Sequence, residues 1–218
     1  ALDVRWLGIS YIAFRLIHVL RDRQIGTLPA MTLDEFAGYV LFFPTLTAGP
    51  IDRAERFIKD LRAPFSLSGL VVFEGGSRIA VGLFKKFVLA DGLAIIALNA
   101  TNAGQASAQS ASTGWLWVML YAYALRIYFD FAGYSDIAIG SARMMGIIFP
   151  ENFNFPYFAS SPRDFWRRWH ISLSSWIRDY LYLPLAGERV QDQSVGGLAV
   201  AAEEGPRRNR RDRALLES

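Results

Sequence analysis

Long apolar stretches separated by short polar segments dominate the chain as far as Leu185. The longest, Thr113 to Gly133, can cross a bilayer core of about 30 Å and has only Arg126 and Asp130 as charged residues. Glycine, proline or charged residues interrupt four weaker candidates, which are Trp6 to Leu20, Phe36 to Pro50, Leu70 to Ala90 and Ile137 to Phe149. The pattern therefore predicts an all-α, polytopic integral membrane protein with broken and re-entrant helices.

The polar segments predict how these helices are connected and oriented. Asp52 to Arg62 spaces basic residues between acidic and apolar ones, as in an amphipathic helix at the cytoplasmic membrane surface. The uncharged stretch Thr101 to Ser112 predicts an outward-facing loop, and Phe149 to Ser160 predicts an extended connector. Because residues 186–218 are polar and rich in Gly, Glu and Arg, we expect a membrane domain over residues 1–185 and then a divergent, disordered tail.

A helix start precedes the second of the two histidines. Ser161, Pro162 and Asp164 provide an N-cap, a proline at the first helical position and an acid at the third. From there, apolar and aromatic residues recur at three- and four-residue spacing, and His170 belongs to this stripe. We therefore predict one helix through this segment, with His170 on its apolar face.

Composition and charge exclude several classes of function. The net charge of the 218 residues is only +3, and the basic residues lie beside apolar stretches, which favours anchoring at lipid head groups over nucleic-acid binding. The sequence has no cysteine, so a disulfide framework, zinc-finger spacing and a cysteine nucleophile are excluded. The two histidines are far apart and the acidic residues are scattered, so we expect no metal site.

His170 is the candidate catalytic residue. A neutral imidazole can take a proton from a hydroxyl group that attacks an acyl carbonyl, and Ser174 follows one helical turn later. The alternative is a histidine that is simply packed and hydrogen-bonded within an aromatic stripe. His18 lies among ordinary helix residues, so we interpret it as structural.

Charged residues supply candidates for substrate binding. Four arginines can hold phosphate or carboxylate groups of a donor, or can mark the head-group boundary of the membrane. They are Arg163, Arg167, Arg168 and Arg178. Asp136 has no obvious partner and can line a polar cavity, whereas Arg126 and Asp130 are one turn apart and are predicted to pair with each other.

Several motifs closely resemble the membrane-bound O-acyltransferase family. They are FDFAGYSDIAIG at Phe129 to Gly140, PENFNFPY at Pro150 to Tyr157 and DFWRRWHISLSSWIRDYLYLPL at Asp164 to Leu185. FFPTLTAGPIDRAERF at Phe42 to Phe57 and GLFKKFVLADGLA at Gly82 to Ala94 resemble its bacterial branch of alginate O-acetylation and D-alanyl transfer proteins. The resemblance extends from near the start of the chain to Leu185.

The resemblance implies a many-helix enzyme of the bacterial cytoplasmic membrane, in contact with lipid. Such an enzyme transfers an acyl group, here acetyl, from acyl-CoA or an acyl-carrier protein to hydroxyls of an extracellular polysaccharide or another cell-envelope polymer. No bound cofactor is implied. His170 matches the histidine of the family's W-H motif, and we expect Trp169, Ser174, Asp136 and the four arginines to bind substrate.

The sequence departs from the family pattern after Leu185. The family carries a second histidine in a later Gly-Leu-Trp-His segment, and no histidine follows His170. Together with the first residue, Ala1, this departure predicts a piece of a longer enzyme that is inactive by itself, and a truncation, a frameshift or a mis-called gene end would each explain the change after Leu185. The alternative is a non-catalytic membrane component that conducts acyl groups or recruits an outer-face acyltransferase.

Overall fold

The computed structural model describes residues 8–99 and 113–187, whose regular structure is helical apart from one isolated β-bridge. The α-helices there are α1 (Ile9–Ile25), α2 (Leu33–Val40), α3 (Ala54–Arg62), α4 (Gly69–Leu83), α5 (Asp91–Ala94), α6 (Thr113–Met144), α7 (Pro162–Arg168), α8 (Ile171–Ile177) and α9 (Leu183–Leu185). Two 3-10 turns, Phe43–Thr45 and Pro156–Phe158, and two π-helical stretches, Phe84–Ala90 and Arg178–Tyr182, accompany them. The all-α prediction is confirmed for this part of the chain. The predicted loop Thr101 to Ser112 and residues 188–218 of the predicted tail lie outside it.

Helix α6 joins two segments that the sequence predicts separately, one ending at Gly133 and one starting at Ile137. That prediction is wrong because Ser135 and Asp136, which lie between them, both find side-chain partners on neighbouring elements. The polar residues are therefore satisfied inside a helix of 32 residues. In residues 8–99 and 113–187, no helix is both long enough and apolar enough to be a membrane span.

Pairs of glycines face each other where α4 and α6 pack antiparallel. A Cβ atom on Gly82 would lie 2.6 Å from the carbonyl oxygen of Gly133, and one on Gly140 would lie 2.6 Å from that of Gly75. The glycines are seven residues apart in each helix, so both pairs share one face. The two backbones thus approach more closely than any side chain would allow, as in small-residue helix interfaces.

Ion pairs flank the glycine contacts. The Lys86 Nζ lies 2.5 Å from Asp130 Oδ1 towards one end of the interface, and Arg143 pairs with Glu74 towards the other. The predicted pair between Asp130 and Arg126 is wrong, because Lys86 reaches Asp130 from the opposite element. Because these side chains are partly exposed, the ion pairs add little to the free energy of folding. Their main effect is to favour this register of the two helices.

Alanine at Gly82 is expected to destabilise the protein, whereas alanine at Gly76 in the same helix is expected to be neutral or stabilising. The new Cβ at Gly82 would collide with backbone atoms of α6, which cannot rotate away, at a cost of about 1–3 kcal/mol. Nothing lies within 4 Å of a Cβ on Gly76, so that change adds helix propensity of up to about 1 kcal/mol. Thermal unfolding of the two purified variants measures the difference. Equal unfolding midpoints would contradict the close approach of α4 and α6.

Aromatic rings form the core around α2 and α3. Tyr39 and Phe42 pack edge-to-face on Phe57 with ring centroids 5.3 and 5.1 Å apart, and Phe42 stacks on Phe149 at 5.6 Å. Phe57 belongs to the buried face of α3, which confirms that this segment is an amphipathic helix. The predicted break within Phe36 to Pro50 is also confirmed, because α2 ends there and a 3-10 turn follows.

A buried arginine ties α1 to the end of α2. The guanidinium of Arg15, which is 2% exposed, donates to the carbonyl oxygens of Tyr39 at 3.1 Å, Val40 at 2.7 Å and Thr45 at 2.7 Å. Carbonyl groups in the last turn of a helix have no partner within that helix. Arg15 therefore satisfies the end of α2 and fixes the turn that follows it.

The chain divides into two compact units, Ala1–Ile177 and Arg178–Ser218. The first contains α1 to α8. In the second, the π-helical stretch that begins at Arg178 leads directly into α9. The domain boundary after residue 185 stays a prediction.

Candidate functional site

The helix that the sequence predicts to start at Ser161 does start there. Ser161 Oγ accepts the backbone N–H of Asp164 at 3.2 Å, and Pro162 is the first residue of α7. The predicted N-cap is therefore confirmed. The helix ends at Arg168, however, so the prediction of one continuous helix with His170 on its face is wrong.

Pairing with the preceding connector interrupts the helix. Trp169 forms an antiparallel β-bridge with Phe153, and the Ile171 N–H donates to the Asn152 carbonyl oxygen at 2.9 Å. Between these two contacts, His170 has a φ of 44°, in the left-handed region that side chains with a Cβ disfavour. His170 therefore lies in a turn between α7 and α8, in a strained backbone conformation of the kind that occurs at functional sites.

The imidazole of His170 is enclosed and neutral. His170 is 8% exposed. Its ring packs edge-to-face on Phe131, with ring centroids 4.7 Å apart, and its Nδ1 lies 3.2 Å from Asn152 Oδ1. Burial lowers the pKa of His170 to about 4, because the charged form loses its hydration. Near pH 7, the ring is therefore uncharged and able to accept a proton.

Three buried polar residues join His170 in what we call the His170 network. Asn152 is 1% exposed and lies at its centre. The Ser172 Oγ donates to Asn152 Oδ1 at 2.6 Å, and the Asn152 Nδ2 donates to Ser135 Oγ at 3.2 Å. The network links the turn to the middle of α6.

A cavity of about 150 Å³ adjoins the His170 network. Asn152 and Ser135 form part of its wall, together with aromatic residues and four charged ones. The charged residues are Arg78, Lys85, Asp136 and Glu151. We call this space the charged cavity, and Asn152 and Ser135 belong both to its wall and to the network.

Asp136 lines this polar cavity, as the sequence predicts, but the expectation that it lacks a partner is wrong. Its carboxylate accepts hydrogen bonds from Arg78 at 2.9 Å and from Lys85 at 2.6 Å. Arg78 also lies 2.5 Å from a carboxylate oxygen of Glu151. Two cations and two carboxylates therefore balance each other in the wall of the charged cavity.

The four predicted donor-binding arginines occupy surface positions. Arg163 and Arg167 are exposed on α7. The Arg168 Nε donates to Asp164 Oδ1 at 3.0 Å, one turn back in the same helix. Arg178 opens the second unit and donates to the carboxylate of the next residue at 2.8 Å. Donor binding by these side chains stays a prediction.

Trp169 and Ser174 both support the turn that carries His170. The Trp169 ring stacks on Phe165 at 5.6 Å and meets Phe153 edge-to-face at 5.1 Å. The Ser174 Oγ donates to the Trp169 carbonyl oxygen at 3.3 Å. Their predicted contact with substrate stays a prediction.

His18 occupies a different buried position, in α1. Its Nε2 accepts the backbone N–H of Ala54 at 3.2 Å and lies 2.8 Å from the hydroxyl of Tyr39. These contacts tie α1 to α2 and α3. They agree with the structural interpretation of this histidine.

The residues that surround His170 were not predicted from the sequence. Asn152 and Ser172 are single polar residues within aromatic segments, and Arg78 and Lys85 interrupt apolar stretches. A signal was nevertheless present, because Asn152 lies in PENFNFPY and Ser172 in the W-H segment, two of the motifs that carry the family resemblance. Their proximity depends on the β-bridge beside His170, which spacing along the chain does not reveal.

Comparison with known proteins agrees with these motifs. The family model of MBOAT, the membrane-bound O-acyltransferase family, matches residues 19–199. The probable alginate O-acetylase AlgI of Pseudomonas aeruginosa is 44% identical over 187 residues, which are 84% of this chain and 34% of that protein. The teichoic acid D-alanyltransferase of Bacillus subtilis is 36% identical over 183 residues, which are 83% of this chain and 45% of that protein. The peptidoglycan O-acetyltransferase of Helicobacter pylori is 41% identical over 164 residues, 74% of this chain and 30% of that protein.

The match includes the whole His170 network and the walls of the charged cavity. The chain spans about a third of the length of the alginate O-acetylases that it matches. Both the family model and the identity to these relatives cover most of the chain. The chain therefore belongs to the membrane-bound O-acyltransferase family.

Proposed function

We propose that this chain forms part of a multi-pass enzyme of the bacterial cytoplasmic membrane that O-acylates a cell-envelope polymer. The acyl group is acetyl, and the acceptor is a hydroxyl of an extracellular polysaccharide or a related polymer. The observation that carries the proposal is the buried His170 in a strained turn of a chain of this family. The relatives' names support the acceptor class, since they refer to alginate, teichoic acid and peptidoglycan.

Exposed apolar side chains support contact with lipid. Phe73 on α4 is 72% exposed, and Trp117 and Tyr121 on α6 are 54% and 63% exposed. Large apolar side chains exposed along both helices are typical of a surface that meets lipid or protein. In the proposed enzyme, these faces of α4 and α6 meet membrane lipid.

In the proposed reaction, the acceptor hydroxyl attacks the carbonyl carbon of a thioester donor, which is acyl-CoA or an acyl-carrier protein. His170 takes the hydroxyl proton while the new C–O bond forms. The C–S bond then breaks, and the thiolate that leaves receives this proton. Arg163 and Arg167 bind phosphate groups of the donor by charge-assisted hydrogen bonds. The donor is a substrate, and no bound cofactor takes part.

The purified full-length protein is expected to catalyse acyl transfer without a second enzyme. Acetyl-CoA and an acetylated acyl-carrier protein serve as probe donors, with alginate, teichoic acid and peptidoglycan as acceptors. Ester-bound acetyl is measured by mass spectrometry, and reactions without acceptor are the control. If acetyl ester forms only after addition of an outer-face acyltransferase, the proposal is wrong and the chain belongs to a component that conducts acyl groups or recruits that enzyme.

A further inference from the structure

Asn152 holds one edge of the His170 ring through a shared acceptor atom. Its Oδ1 lies 3.2 Å from His170 Nδ1 and accepts the Ser172 hydroxyl at 2.6 Å. The carbonyl oxygen of the same residue accepts the Ile171 N–H at 2.9 Å. Asn152 therefore contacts both the side chain of His170 and the backbone immediately after it.

The short contact between Ser172 and Asn152 gives these hydrogen bonds their direction. The Ile51 N–H, which can only donate, lies 2.9 Å from Ser172 Oγ. Ser172 accepts this bond with one lone pair and donates its own hydrogen to Asn152 Oδ1, because their separation of 2.6 Å is typical of an O–H···O bond and is too short for a usual N–H···O bond. With Oδ1 as the acceptor on this side, the Asn152 Nδ2 faces and donates to Ser135 Oγ at 3.2 Å. Each of these hydrogen bonds within the His170 network then joins one donor to one acceptor in a single orientation of the amide.

The same orientation assigns the hydrogen on the imidazole. Because Asn152 Oδ1 can only accept, His170 Nδ1 must carry the hydrogen of the neutral ring. The other ring nitrogen, Nε2, then keeps its lone pair. This is the tautomer that a general base needs if Nε2 faces the reacting hydroxyl.

We propose that Asn152 is a positioning residue that holds His170 as the Nδ1–H tautomer, with Nε2 as the basic nitrogen. This inference rests on the proposed function, because it gives the proton-accepting atom of the same site. Asn152 acts through His170 and takes no proton itself. Ser172 and Ser135 fix the Asn152 amide in the orientation that this requires.

Two substitutions of Asn152, to leucine and to aspartate, distinguish a positioning role of this residue from a role in packing alone. Leucine has a similar size but offers no acceptor, so the Nδ1–H tautomer loses its partner. Aspartate keeps the acceptor, and the Ser135 hydroxyl can turn to donate to it. A carboxylate at this place also raises the pKa of His170, because it stabilises the imidazolium.

Most charged groups on the neighbouring elements are already paired, whereas Arg163 and Arg167 on α7 are exposed. On the described part of the chain these pairs are Arg78–Asp136, Lys85–Asp136, Arg78–Glu151 and Arg168–Asp164. The carboxylate of Asn152→Asp would therefore be a new charge placed directly against the imidazole. Any rise in the pKa of His170 in this variant can be assigned to that carboxylate.

Nitrogen-15 NMR of the full-length, histidine-labelled protein in lipid bilayers tests the inference, with the His170 signals assigned by their loss in His170→Gln. We expect Nδ1–H in the wild type, loss of that preference in Asn152→Leu, and a raised pKa of His170 in Asn152→Asp.

Acyl transfer should fall at least about 10-fold in Asn152→Leu. In Asn152→Asp, it should recover as the pH rises above the new pKa. Asn154→Leu is the matched control, because the Asn154 side chain is exposed on the same connector.

Two results would overturn the inference. One is an unchanged tautomer in Asn152→Leu. The other is equal loss of transfer in both variants of Asn152 with no change in the titration of His170, since this indicates packing alone. The tautomer is measured without turnover, so a wild-type protein that shows Nδ1–H but transfers no acetyl group contradicts the proposed function and leaves the positioning role of Asn152 intact.

Discussion

Replacing His170 with asparagine in the full-length protein is expected to lower the rate of acyl transfer by about 10²–10⁴-fold, the usual effect of losing a general base. Asparagine tolerates left-handed backbone conformations, so it can keep the φ of 44° at this position. The Ser172 hydroxyl still donates to Asn152, which leaves the rest of the network satisfied. The protein should therefore stay folded and membrane-bound while it loses activity.

The matched control is asparagine at the other histidine. His18 is fully buried and accepts the Ala54 N–H, so His18→Asn should lower the unfolding temperature and leave the rate per folded molecule close to that of the wild type. Initial rates of ester formation and thermal unfolding, measured on the same preparations, separate the two effects. Transfer by His170→Asn at the wild-type rate would remove His170 from the mechanism.

Replacing Arg15 with methionine is expected to cause the largest loss of stability among the changes considered. Methionine fills much of the space but leaves the carbonyl groups of Tyr39, Val40 and Thr45 buried without the cation. Hydrogen bonds to a charged group are worth about 1.5–3 kcal/mol each, and part of this is offset because the buried charge disappears. The expected net loss is about 3–5 kcal/mol.

Lysine at position 15 should recover only part of this loss, because an ammonium group cannot reproduce the planar fork that reaches three carbonyl oxygens. Arg62→Met is the matched control, since Arg62 pairs with Glu35 on the surface. Denaturant unfolding of the purified protein measures all three variants. If Arg15→Met and Arg62→Met unfold at the same denaturant concentration, Arg15 does not hold the end of α2.

Local patterns in the sequence determined where α7 begins and that α3 is amphipathic. The cap formed by Ser161, Pro162 and Asp164 was predictable because its hydrogen bonds join residues three positions apart. The amphipathic helix α3 was predictable because helical periodicity places Phe57 and its buried neighbours on one side. Short sequence motifs then indicated the family and identified His170 as the candidate catalytic residue.

The tertiary structure decided how charged residues are paired. Asp136 was expected to lack a partner, and Asp130 was expected to pair within its own helix. Both instead bind cations from the other side of the α4 and α6 interface. Facing glycines make that interface possible, because they allow two backbones to touch. Which charges then meet depends on the register of the helices, and no pattern within one helix reports it.

The sequence by itself determined the helical structure of the described residues, the start of α7 and the choice of His170 as the candidate catalytic residue, since caps, periodicity and motifs act over a few neighbouring residues. Only the tertiary structure decided that the helix stops before His170 and that Asn152 holds the imidazole. The reason is that the bridge between Phe153 and Trp169 competes with helical hydrogen bonding at this point. A contact between separate segments thus placed a histidine predicted to lie on a helix face in a turn within a buried polar network.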